Sequence, residues 1–233
     1  RHIRAGAAVG DGITIADART DSDLDLIVEA GLYRDAPVLW CGSAGLAGAL
    51  ARRLDTPAPR PARPQGPCLL AIGTNHPSTQ HQVTALRSAA ALPRPLFEAP
   101  IPDERDSTSD SEAASSGQIT KALQAGKHVL VMLSPTEPCD PGEARAVVRK
   151  SIAHLAKLAP EPSAAIVTGG ATLRTLMDAT NASAITLHGV FAEGVPVGRI
   201  VGGAWDGTTI VSKSGGFGNA DLLVALLRAA DRI

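Results

Sequence analysis

Aromatic side chains are scarce in this 233-residue chain, with one Tyr, three Phe and two Trp, 3% of the whole. Single-stranded nucleic acid is held on rows of such rings, and the chain has too few to build one. An excess of positive charge is also missing. The 22 Lys and Arg face 23 Asp and Glu, for a net charge of −1, and no basic run supplies the footprint a nucleic-acid backbone requires. No apolar stretch reaches the roughly 18–20 residues that span a bilayer, and no secretory leader is recognisable. Nucleic-acid and membrane partners are therefore not expected. The three cysteines, Cys41, Cys68 and Cys139, are too far apart for a CxxC pair or a zinc-type spacing. Isolated thiols suit a reducing compartment, so a cytoplasmic location is expected.

What the chain does have is 44% hydrophobic and 19% charged residues, enough for a substantial core. With so few rings, that core must be Ala, Val, Leu and Ile, which suits parallel α/β layers. Apolar runs and helical periods alternate along the chain. Strands are expected at 13–17, 37–41, 68–72, 96–98, 128–133, 164–168, 185–187 and 208–212, with helices between most of them. Asp21 is the expected cap of the first helix and Asn219 that of the last. Residues 100–117, rich in Ser, Asp, Glu and Pro, read as a surface loop. Five prolines, Pro57, Pro59, Pro61, Pro64 and Pro67, prevent helix and ladder formation between 55 and 67. The expected organisation is residues 1–55 as one piece, a linker at 56–67, and a domain at 68–233. The expected fold is a three-layer α/β/α, Rossmann-like arrangement on a mostly parallel sheet.

Three apolar strands run straight into glycine turns and then helices: Gly42-Ser43-Ala44-Gly45, Gly73-Thr74-Asn75-His76 and Gly169-Gly170-Ala171-Thr172. Glycine lets backbone approach an oxyanion, and a helix start adds free N–H groups and partial positive charge. A fourth segment, Lys213-Ser214-Gly215-Gly216-Phe217-Gly218, joins a lysine to three glycines between a strand and a helix. A lysine there can neutralise phosphate as a point charge. Neither the GxxxxGK[ST] loop nor the GxGxxG dinucleotide fingerprint is present, which disfavours a nicotinamide dehydrogenase.

These turns occur in order with Asp17-Ala18-Arg19-Thr20-Asp21-Ser22-Asp23-Leu24 before them and Gly194-Val195-Pro196-Val197-Gly198 between the last two. Taken together, the six segments resemble the four-carbon acid sugar kinase family across nearly the whole chain. The resemblance implies phosphorylation of an acid sugar such as erythronate, threonate or 3-oxo-tetronate by ATP with Mg²⁺. It implies nucleotide contacts at Thr74 and His76, at Gly169, Gly170, Ala171 and Thr172, and at Lys213, Ser214, Gly215, Gly216 and Gly218. Asp17 and Ser43 are the corresponding substrate-side candidates, in what resembles the end of a substrate domain. No protein metal ligand is assigned. The general base is expected in a segment preceding Arg1, and a homo-oligomer is a further expectation. The pattern departs from the family at His76, where a small hydroxyl residue is usual, and at Ala171, where an acid is frequent. A non-catalytic module that binds a nucleotide or sugar phosphate is the alternative reading.

Overall fold

The structure, a computed structural model, describes residues 2–54, 60–100, 109–135, 140–158 and 161–231. The chain forms two compact units, Arg1–Ala58 and Pro59–Ile233. In the first, strands β1 (His2–Arg4) and β2 (Ile15–Asp17) pair in parallel, followed by helices α1 (Asp21–Leu32) and α2 (Ala44–Arg53). The cap of α1 is Thr20 rather than Asp21, and the helix starts at Asp21 rather than near Asp23. The Thr20 hydroxyl accepts the Asp23 N–H at 3.2 Å, and the Asp23 carboxylate accepts the N–H groups of Thr20 and Arg19 at 3.0 and 2.9 Å. Those amides hold the Asp23 carboxyl below the usual range. Between the helices, Trp40 packs so closely on Gly31 that a Cβ there would lie 2.2 Å from the ring. The strand expected at 37–41 does not form. Leu39 is 96% exposed, and no strand among the described residues offers it a ladder partner.

The second unit carries a seven-stranded sheet. Its strands are β3 (Cys68–Ile72), β4 (Leu96–Ala99), β5 (His128–Met132), β6 (Ala164–Thr168), β7 (Ala184–Ala192), β8 (Val195–Val201) and β9 (Thr209–Lys213), in the order β4-β5-β3-β6-β9-β8-β7. The first five in that order are parallel, and β8 and β7 add an antiparallel hairpin at one edge. Helices α3 (Pro77–Arg87), α4 (Ser109–Gln124), α5 (Pro141–Leu155), α6 (Gly170–Thr180) and α7 (Leu222–Ala230) complete the unit. Every residue of β3 and β6 is buried, as strands covered on both faces must be. Alternation divides the core. Cys68, Leu70 and Ile72 pack with Val83 and Leu86 of α3 and Leu223 and Leu227 of α7. Leu69 and Ala71 face the other way, to Ile119 of α4, Ile152 and Leu155 of α5, Leu176 of α6 and the fully buried Trp205. This is the expected three-layer α/β/α, Rossmann-like fold.

Four expectations are corrected. Strand β7 extends to Ala192 and pairs with an unforeseen β8, because Gly194 at φ +69° makes a tight hairpin out of what reads as an isolated turn. Helix α4 begins at Ser109, inside the expected loop, whose residues 101–108 lie outside the described ones. Asn219 does not cap α7. Asp221 is the cap residue, and Asn219 contributes its carbonyl to the preceding turn. In the expected linker, residues 55–59 lie outside the described ones, but Pro61 bridges to Val190. The Ala62 N–H donates to Val190 O and the Val190 N–H to Arg60 O, both at 2.9 Å. Proline is tolerated because the residues on either side of it make the bonds. A Cβ at Gly189 would lie 2.1 Å from Arg60 O, so glycine is what admits this strap.

At the amino ends of the strands, buried His128 accepts the Cys68 N–H on Nδ1 at 3.1 Å, with Nε2 3.4 Å from Asp231 Oδ2. Burial pushes the imidazole pKa down, and Asp231 only partly opposes this. Burial also pushes the Cys68 thiol up to about 12, which keeps it protonated and inert. A lowered histidine pKa means that the unfolded chain takes up a proton near pH 6.5 that the folded chain refuses. Stability is therefore complete above about pH 6.5 and falls as the pH drops below it. Urea unfolding between pH 7.5 and 5.5 should show this decline, at no more than about 1.4 kcal/mol per pH unit from this group. His128→Asn, which keeps an acceptor for Cys68, should flatten it.

Candidate functional site

Helix α3 follows β3 onto one face of the sheet, α6 follows neighbouring β6 onto the other, and α7 follows β9 back onto the first. Adjacent strands that send their chains to opposite faces open a crevice at their carboxyl ends, where ligands bind in open α/β sheets. Three of the sequence-predicted turns meet there. Ile72 stands opposite Thr168, and Thr168 opposite Lys213. The Gly169 N–H donates to Lys213 O at 2.9 Å, and the Thr172 hydroxyl donates to Gly73 O at 3.3 Å. A Cβ at Gly73 would lie 2.0 Å from Thr172 Oγ1, so α6 reaches the β3 turn only because residue 73 has no side chain. Gly169, at φ +98°, is the N-cap of α6 and provides no side-chain acceptor. Among the described residues, the first-turn N–H groups of Gly170, Ala171 and Thr172 have no acceptor, and the helix dipole makes an anion the favoured partner. Gly170 and Ala171 are exposed, while Thr172 is buried against Gly73.

On the β3 side, Thr74 Oγ1 accepts the His76 N–H, and His76 Nδ1 accepts the Ser78 N–H, each at 3.2 Å. A neutral imidazole accepting at Nδ1 carries its proton on Nε2, which gives the exposed ring a donor. Both side chains press on the glycine loop: a Cβ at Gly215 would lie 2.9 Å from Thr74 Oγ1 and 3.0 Å from His76 Cβ. The His76 ring flanks Gly216.

Lys213 is the last residue of β9 rather than the first of the loop, and it is only 3% exposed. Alternation along β9 sends it to the same face as Val211, beneath α3. Its Nζ donates to Thr79 Oγ1 at 3.0 Å, Ser214 O at 2.9 Å and Gly215 O at 3.4 Å, and the Thr79 hydroxyl donates to Gly215 O at 2.8 Å. The ammonium thus faces oxygens inside the loop instead of standing free as a point charge. Burial pushes its pKa down to about 8. This arrangement sets the outer face of the loop. A trans peptide points its C=O and N–H in opposite directions. With the Ser214 and Gly215 carbonyls turned inward, the N–H groups of Gly215 and Gly216 face outward, and neither has an acceptor among the described residues. Gly218, at φ +84°, packs on Leu222. Next to the loop, a cavity of about 660 Å³ is lined by Phe191, Glu193, Gly216, Phe217, Asn219 and Leu222, among others.

Asp17 and Ser43 belong to the first unit. Asp17 closes β2, and Ser43 caps α2 without a side-chain hydrogen bond. Sequence reading missed Thr79 and Gln82, both fully buried on α3. Their signal was present: with Val83 and Leu86 they occupy the i, i+3, i+4, i+7 positions of a core-facing stripe, where polar residues need a reason.

Unpaired amides and an uncapped helix start, gathered at a switch in an open parallel sheet, define an oxyanion-binding α/β domain of the nucleotide type. A family model described as the nucleotide-binding C-terminal domain matches residues 69–223. The chain belongs to that family, and through it to the four-carbon acid sugar kinases. A D-threonate kinase of Cupriavidus necator is 31% identical over 199 residues, covering 82% of this chain and 47% of that protein. A Bordetella bronchiseptica protein, a domain of unknown function crystallised with bound citrate as a domain-swapped dimer, superposes with a TM-score of 0.58. It is 27% identical, and the match covers 94% of this chain and 54% of that one. A Salmonella typhimurium LT2 protein shares the fold, with a TM-score of 0.70 at 21% identity over 91% of this chain and 51% of its own. The chain spans about half the length of the curated relatives it matches.

Two outcomes are expected. Gly73→Ala should cost about 1–3 kcal/mol in urea unfolding, since a buried contact must be pried open. The Lys213 side chain, followed by NMR, should titrate with a midpoint of about 8 rather than at the ordinary lysine value of 10.5.

Proposed function

We propose that this chain is the ATP-binding part of a kinase that phosphorylates a hydroxyl of a four-carbon acid sugar, of the threonate, erythronate or 3-oxo-tetronate type. The observation that carries this reading is the pair of outward amides at Gly215 and Gly216 beside the uncapped start of α6. The D-threonate kinase relatives support the acceptor class. Bound ATP would supply the phosphoryl group. Phosphoryl transfer depends mainly on positioning and charge stabilisation, which amides, a helix start and a nearby ammonium can give.

In this reading the Gly215 and Gly216 amides and the first turn of α6, from Gly169 to Thr172, hold phosphate oxygens, with His76 Nε2–H as a further donor. Thr74 keeps the two turns in register. Lys213 adds positive potential from behind the loop, while Ser214 and Gly218 shape its ends. The cavity beside Phe217 takes the nucleobase. Mg²⁺ would arrive on the phosphates; among the described residues, no three His, Cys, Asp or Glu gather to hold an ion. Asp17 and Ser43 would serve the substrate side, with the first unit as the end of a substrate domain, and the acceptor proton would be removed by a base supplied from a segment preceding Arg1. A homo-oligomer is proposed on the strength of the dimeric Bordetella neighbour. No helix among the described residues is long and apolar enough to cross a membrane.

Calorimetry on this chain should show Mg-ATP binding. Phe217→Ala should weaken ATP about tenfold, within the range for one lost base stack, and leave tripolyphosphate binding unchanged. ATP consumption by the full-length protein with a panel of tetronates then tests the acceptor. Binding without turnover would favour the non-catalytic module.

A further inference from the structure

Gln82 projects from the second turn of α3 into the core and is fully buried. Its Nε2 donates to three consecutive carbonyl oxygens of the glycine loop, Phe217 O at 3.0 Å, Gly218 O at 3.1 Å and Asn219 O at 2.9 Å. Its Oε1 is buried with no partner among the described residues. The orientation of the amide is dictated by these neighbours, since turning it over would set one oxygen against three. An apolar side chain would suit the stripe shared with Val83 and Leu86 and would carry no unpaired oxygen of its own. What glutamine adds is the hold on the loop.

We propose that Gln82 is a positioning residue for the bound nucleotide: by drawing these carbonyls inward, it turns the Gly218 and Asn219 N–H groups outward as phosphate donors. This rests on the nucleotide-binding reading above. The peptide planes behave here as they do beside Lys213. The Phe217 carbonyl shares its plane with the Gly218 N–H, and the Gly218 carbonyl shares its plane with the Asn219 N–H. Gly218, the residue between these two peptides, has φ +84°, a conformation open to glycine that folds successive N–H groups toward one concave side. Among the described residues, the Phe217 N–H is the one loop amide that turns back, to Ser214 O at 3.2 Å. Lys213 with Thr79 fixes the first half of the amide row, at Gly215 and Gly216, and Gln82 fixes the second. A row this long suits a polyphosphate rather than a single phosphate. None of the three side chains need touch the ligand.

The test uses the 233-residue chain and Gln82→Met, which keeps the volume and removes the donor. Calorimetry should show Mg-ADP and Mg-ATP affinity falling about tenfold or more, with the nucleotide-free thermal midpoint little changed. Inorganic phosphate, run in parallel, should be less affected. By NMR, the Gly218 and Asn219 amide signals should shift on nucleotide addition in the wild type and not in the variant. A folded variant that binds nucleotide like the wild type overturns the proposal. If the variant does not fold, the wild type decides: nucleotide binding that leaves the Gly218 and Asn219 amides unmoved overturns it equally. A wild-type chain that binds no nucleotide refutes the functional reading and this inference with it, whereas normal wild-type binding with an indifferent variant refutes the inference alone.

Discussion

The carboxyl end of the sheet is organised around one buried ammonium. A charge taken out of water persists only where oxygens surround it. Around Lys213 those oxygens are the Thr79 hydroxyl and the Ser214 and Gly215 carbonyls. The loop cannot be rearranged without stripping the charge of its partners, so the lysine fixes the backbone that follows it. The contact of Thr172 with the Gly73 carbonyl does the same for the neighbouring turns. Three loops from distant parts of the chain thereby act as a single rigid rim, positioned by two contacts that strand alternation and a missing Cβ make possible.

This origin explains why the parallel strands were legible. β3 and β6 are covered on both faces, and such strands must be unbroken apolar runs. Their glycine turns follow from topology, and the ordered motifs gave the family. The hairpin was not legible, because Pro196 within β8 argues against a strand; it is accommodated beyond the stretch of β8 that pairs with β9, opposite a Val190 whose own N–H and C=O bond Arg60 and Ala62. The strap at 60–62 was hidden for a related reason: proline density marks an irregular path without saying where the path docks.

Within the site, residue types were easier to read than their direction. Lys213 was identifiable as the cation of the glycine loop, but whether its ammonium faces a ligand or the loop depends on which face of β9 it occupies. That is set by register, and a one-residue shift would reverse it. Thr79 and Gln82 posed the opposite problem. As polar residues in a core stripe they look like imperfections of an amphipathic helix until the carbonyls they serve, more than a hundred residues later, are in place.

The scarcity of aromatic residues has a practical side. The two tryptophans fall one to each unit: Trp40 lies against Gly31 in the first, and Trp205 is fully buried under the sheet of the second. With a single tyrosine elsewhere, intrinsic fluorescence is almost entirely the sum of these two indoles, in different surroundings. Replacing either with phenylalanine leaves an emission spectrum that reports on one unit only. The order in which the two halves melt can then be followed without any added label.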